Sequence, residues 1–112
     1  MATANDFRKI ALSLDRTVET PHFERRAFKA RRIYATLAPD GLSANLRFPP
    51  EEQEFRCEMQ SDAYRPVPNK WGASGWTIAT LSALTVDELQ TALTSAWRYQ
   101  DMPRRSGNIK RG

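Results

Sequence analysis

The chain has a single cysteine, Cys57, and a single histidine, His22. One cysteine excludes an intrachain disulfide and makes a reducing compartment the default. One cysteine and one histidine cannot build a Cys/His zinc cage within one chain. No apolar run approaches the ~20 residues of a membrane span. Asn5, Asp6, Arg8 and Lys9 interrupt any secretory apolar segment near the start, so a cytoplasmic protein with no membrane role is expected. There is no repeat, no low-complexity segment and no phosphate loop. Gly72 and Gly75 have the wrong spacing for a dinucleotide fingerprint and precede a strand. No cofactor and no metal are expected.

What is present is an ordinary globular composition: 112 residues, 40% hydrophobic and 27% charged, the size of one domain. The net charge of +4 is carried by Arg104, Arg105, Lys110 and Arg111, so residues 1–102 are neutral as a body. That body separates its charge. Residues 22–34 hold Arg25, Arg26, Lys29, Arg31 and Arg32 against Glu24, a net of +4, and residues 51–62 hold five acids against Arg56, a net of −4.

The most informative stretch is Trp71 to Leu81. Two indoles flank a loop of Gly, Ala and Ser, and Trp76, Ile78 and Thr80 then alternate with Thr77, Ala79 and Leu81, which is strand patterning. Gly72 and Gly75 mark a reversal that needs positive φ or close backbone approach. The indoles are expected to anchor the core. Earlier, Asn5 or Asp6 is expected to cap a helix with Phe7, Ile10, Ala11 and Leu14 as its stripe, and Thr20-Pro21 to end that region.

Residues 22–29 read as an irregular strand, because Phe23 and Phe28 differ by an odd number and would face opposite ways; a bulge, or a start after Phe23, removes the conflict. Arg32 to Ala38 follows with Ile33, Ala35 and Leu37 inward. After the Pro39-Asp40-Gly41 turn, Leu42, Ala44, Leu46 and Phe48 point in and Ser43, Asn45 and Arg47 out, so one sheet face is open. Pro50 with Glu51, Glu52 and Glu54 opens a helix whose seam is Phe55 and Met59. Pro66 and Pro68 confine any strand at 62–69 to a short or edge piece. Thr85 and Glu88 form a capping box ahead of a helix striped by Val86, Leu89, Ala92, Leu93, Ala96 and Trp97, fading near Gln100. The expected order, α-β-β-β-α-β-β-α, is a two-layer α+β domain over residues 1–102, an antiparallel sheet with three helices on its covered face, followed by a basic flexible tail at 103–112.

The ordered pieces Pro21-His22-Phe23, Ala27-Phe28-Lys29, Ile33-Tyr34-Ala35-Thr36-Leu37, Pro50-Glu51-Glu52-Gln53, Arg65-Pro66-Val67-Pro68 and Trp71-Gly72-x-x-Gly75-Trp76-Thr77 together resemble the MmcQ/YjbR family, over about Asp6 to Tyr99. The resemblance implies an α+β fold of secretion-chaperone-like topology with a strongly bent antiparallel sheet. It also implies DNA binding, by likeness to the double-wing domain of a phage transcription activator. Arg31-Arg32 departs from the glycine-containing turn of many relatives.

The candidate nucleic-acid-binding residues are Arg25, Arg26, Lys29, Arg31 and Arg32 on the basic hairpin, Lys70 and Trp71 beside the Gly loop, and Arg104 and Arg105 in the tail. Such cations neutralise phosphates and release counterions. Alternation splits the hairpin set, with Arg25, Lys29 and Arg31 on one face and Arg26 and Arg32 on the other. The same charges also fit a solvated face paired with the acidic helix. Trp71 fits a stacking platform or a wing-supporting core residue; Trp76 and Trp97 read as core. Cys57 lies among Glu54, Arg56 and Glu58, where acids disfavour a thiolate. A non-enzymatic DNA-binding module, monomeric or weakly dimeric, is the leading expectation. A protein-interaction module using the open sheet face is the alternative. An enzyme or small-molecule site would require a well-formed pocket beside His22 and Trp71.

Overall fold

The computed structural model describes residues 1–102. Its elements are α1 (Ala4–Ser13), β1 (Val18–His22), β2 (Arg25–Lys29), β3 (Ile33–Leu37), β4 (Ser43–Arg47), α2 (Pro50–Met59), β5 (Tyr64–Pro66), α3 (Lys70–Ala73), β6 (Trp76–Thr80), a 3-10 turn at Leu81–Ala83 and α4 (Val86–Asp101). The strands form one antiparallel sheet in the order β1-β2-β3-β4-β6-β5. α4 packs on β3 and β4, and α1 packs on α4. This is the expected α+β class, with one strand and one short helix more than the sequence pattern indicates.

The additional strand is β1. Thr20-Pro21, expected to close the first helical region, lies within this strand, α1 having ended at Ser13; β1 is an edge strand and a missing proline N–H is tolerated there. The strand after it starts beyond Phe23: a two-residue turn, Phe23-Glu24, joins the pair His22 and Arg25, which resolves the parity conflict between Phe23 and Phe28. The additional helix, α3, begins where the Asn69 side chain accepts a hydrogen bond from the Trp71 N–H at 2.8 Å. The short strand at the prolines is β5, and it lies at the other edge of the sheet.

One face of the sheet is buried. Phe28, Ala35, Leu37, Ala44, Leu46 and Ala79 meet Phe7, Ala11, Leu89, Leu93 and Ala96 from α1 and α4. Phe7 and Phe28 pack edge to face, 5.3 Å between ring centres. Tyr34 is buried with its hydroxyl 2.8 Å from that of Thr17, and burial pushes its pKa up to about 12. α4 begins with the expected capping box of Thr85 and Glu88.

Six local expectations are corrected. Leu42, expected to point inward, is 69% exposed, because β4 begins only at Ser43. The α1 cap is Thr3, with Asp6 completing a capping box. Ile33 is half-buried and turned toward the open face, because a register shift at Phe28/Lys29 breaks the alternation of β3. Phe55 and Met59 are 62% and 66% exposed: α2 instead turns in Gln53, Cys57 and Arg56, the last stacked over the Phe48 ring. Val86 is exposed at the start of α4. The indoles of Trp71 and Trp76 do not anchor the core; both face the open side of the sheet. Trp97 packs half-buried against the core and donates its indole N–H to the Asp15 carbonyl. Among the described residues no helix is long and apolar enough to cross a membrane.

Candidate functional site: the cleft on the open sheet face

Strand alternation leaves Thr36, Asn45, Ile78 and Arg65 in one cross-strand row on the uncovered face. Across this face runs a cleft of about 430 Å³ lined by His22, Arg25, Ile33, Thr36, Asn45, Val67, Asn69, Trp71 and Trp76, a size within the range of small-ligand sites. The lining is mostly apolar, with one permanent cation, one imidazole and two side-chain amides. Among the described residues no carboxylate contributes to it.

One wall is the β1–β2 hairpin tip. Arg25 lies against Thr36, its Nε donating to the hydroxyl at 2.8 Å. Burial holds the Arg25 guanidinium below its ordinary value, and Asp40 and Glu24 act against that shift. His22 stacks edge-on against Phe23, 4.9 Å between ring centres. Phe23 is 93% exposed and occupies the left-handed region at φ 60°, a costly conformation for a bulky side chain.

The other wall is α3 with the start of β6. A Cβ on Gly72 would run into the Val67 carbonyl oxygen, and one on Gly75, at φ 106°, into that of Phe48. Both glycines are therefore required by close backbone approach, as the sequence indicates. Buried Gln53 on α2 donates from Nε2 to the carbonyls of Gly72 at 2.9 Å and Trp76 at 3.0 Å. Arg47 Nε donates to the Ser74 carbonyl at 3.0 Å. These bonds fix a four-residue helix too short to hold itself and present Trp71, 57% exposed, to the cleft.

The basic hairpin does not form one surface. Arg26 points to the helix side, where Glu19 takes its Nε at 2.8 Å and that of Arg8 at 2.9 Å. The bonds from Arg8 and Arg26 hold the Glu19 carboxyl below its ordinary range, against the opposing effect of burial. Arg32 donates to the Gln100 carbonyl, and the backbone N–H groups of Arg31 and Arg32 both donate to Gln100 Oε1 at 3.0 Å. Lys29, Arg31 and Lys70 are exposed, and none is in an ion pair among the described residues. Of the expected residues, Arg25 and Trp71 converge on the cleft, with Lys70 next to Trp71 in α3; Arg26 is withdrawn and Arg32 is tied to α4. Arg104 and Arg105 lie outside the described residues. The acids of α2 do not meet the hairpin among the described residues: Glu52 pairs with Arg56 of its own helix at 2.7 Å.

A YjbR family model matches residues 12–99. The chain belongs to the YjbR family. Its fold is similar to that of the crystal structure of Deinococcus radiodurans protein DR2400, a DUF419 domain, with a TM-score of 0.78 at 24% identity, covering 99% of this chain and 86% of that one. No curated protein matches the sequence.

Within this YjbR-family domain, sequence reasoning did not name Asn69, Thr36 or Arg65 as site residues, and named Asn45 only as part of the open strand face with Ser43 and Arg47. The outward register of Asn45 was legible from β4 alternation; that of Arg65 follows only once β5 is paired with β6. Cys57 plays no evident part: burial pushes its thiol up, away from a reactive thiolate. Among the described residues no three His, Cys, Asp or Glu side chains gather as a metal site.

Proposed function

We propose that this YjbR-family protein is a cytoplasmic, non-enzymatic nucleic-acid-binding module that uses the open-face cleft, rather than the basic hairpin as a whole, to hold an unpaired segment of strand. The observation that carries the reading is the presence of Trp71, Trp76 and Arg25 in one cleft without a carboxylate. An aromatic wall offers every base a stacking partner, a fixed guanidinium attracts a polyanion, and the Asn45 and Asn69 amides offer donors and acceptors to base edges. Lys70, Arg65, Lys29 and Arg31 stand exposed around this face and its hairpin to meet the backbone. The cleft, at about 430 Å³, is of small-ligand size, which favours a splayed base over intact duplex. His22, the one titratable imidazole there, has no carboxylate to orient it among the lining residues, which supports binding without general acid–base chemistry.

Titration of fluorescein-labelled single-stranded and duplex oligonucleotides across salt tests this. The expected result is tighter binding of the single strand, weakening linearly in log salt, and a loss on substituting Trp71 or Arg25. Affinity at low salt no better than that of a neutral control protein, or unchanged in both variants, would overturn it.

A second reading rests on a different observation. Phe55 and Met59, four residues apart on α2, are exposed and flanked by Glu51, Glu54 and Glu58. An apolar pair in an acidic frame suits a basic amphipathic segment of another protein. A synthetic basic amphipathic helix should bind, its charge-reversed version should not, and F55S/M59S should abolish binding; equal binding of both peptides rejects the reading.

A further inference from the structure

Phe23 is the least economical residue of the fold. It sits almost fully in water at the tip of a two-residue turn, in a backbone conformation where glycine or asparagine would be relaxed. It gives nothing to the core, and among the described residues its one aromatic contact within the fold is the edge-on His22 ring. Its two strand-end neighbours, His22 and Arg25, both line the cleft, and the His22 ring braces it edge-on. An exposed benzene ring therefore stands on the turn between two residues of the cleft lining, His22 and Arg25, and Trp71 belongs to the same lining.

Building on the nucleic-acid reading above, we propose that Phe23 is an unstacking wedge. The ring inserts beside an unpaired base, takes its place in the stack, and directs the displaced base into the cleft between Trp71 and Trp76, with Arg25 on its phosphate. Apolar wedges at hairpin and helix tips unstack base steps in this way, and extrusion costs least where a base is already unpaired. The preferred ligand is then a duplex carrying a single-base bulge, a stack interrupted at one point, rather than a uniform duplex.

The test compares a bulged duplex with a matched duplex of equal length by fluorescence anisotropy, for the wild type, Phe23→Gly and Phe23→Trp. Glycine relaxes the turn, so Phe23→Gly is expected to unfold at no lower urea concentration than the wild type, and loss of binding then cannot be ascribed to misfolding. The wild type is expected to prefer the bulge about tenfold, within the range of one base–aromatic stack. Phe23→Gly should lose that preference while keeping its affinity for the matched duplex, and Phe23→Trp should retain it. A preference unchanged in Phe23→Gly overturns the wedge and leaves the cleft reading standing. Absence of binding to either duplex and to single strands overturns both.

Discussion

Glu19 holds the guanidinium groups of Arg26 and Arg8 at once, at 2.8 and 2.9 Å. A residue on β1 thus removes one of the five hairpin cations from any phosphate-binding surface and ties the sheet edge to α1. Counting charge along residues 22–34 could not reveal this, because Arg8 and Glu19 both lie outside that window.

Glu19→Gln is expected to destabilise the fold by about 1 kcal/mol at pH 7, since the arginines are substantially exposed and the pair is partly screened. The sign follows from the lowered pKa of Glu19: its contribution is complete above the unfolded carboxyl value and is lost as pH falls through the folded one. Urea unfolding of wild type and variant should differ at pH 7 and converge below about pH 3.

Trp71→Ala should change stability by no more than about 0.5 kcal/mol, because the side chain is largely in water. Its affinity for single-stranded oligonucleotide should fall by about 1–3 kcal/mol. Anisotropy titrations beside urea melts separate the two effects; a variant that binds as the wild type does removes Trp71 from the site.

Gly75→Ala is expected to cost about 3 kcal/mol or more, combining a left-handed residue with a collision at the Phe48 carbonyl. Gly72→Ala should cost a similar amount through Val67 alone. Thermal unfolding of the two variants checks this, and near-native midpoints would mean the α3 wall is not held as described.

Gln53→Leu leaves the Gly72 and Trp76 carbonyls without their side-chain donor and should cost about 1–3 kcal/mol. Gln53→Glu, which aims a carboxylate at the same two carbonyls, should cost more. Both should weaken oligonucleotide binding although Gln53 is not among the residues lining the cleft, because α3 loses its anchor. Binding unchanged in a folded Gln53→Leu protein would show that α3 stands without it.

Much of the fold was legible because it rests on local signals. The β4 alternation from Ala44 to Arg47, the Thr85–Glu88 box, the edge placement forced by Pro66 and the reversal marked by Gly72 and Gly75 are written in short stretches of sequence, although the backbone that Gly75 approaches, at Phe48, is distant in the chain. The errors have a common physical source. The Phe55–Met59 pair has perfect helical spacing, yet α2 is positioned by Gln53 and Arg56, whose polar ends find carbonyls and aromatic faces only in the assembled domain. Trp76 was assigned to the core by size, while strand parity had already set it opposite Thr77, Ala79 and Leu81. The cleft itself joins β1, β2, β3, β4, β5–α3 and β6, segments up to 54 residues apart in the chain from His22 to Trp76, so no single stretch announced it.

Both rims of the six-stranded sheet contain a proline, Pro21 in β1 and Pro66 in β5. Each lacks an amide hydrogen where a neighbouring molecule would need one to extend the ladder. Ribbon-like stacking of one copy onto the next is thereby disfavoured at either end, where each rim offers one donor fewer for a fibril-like ladder.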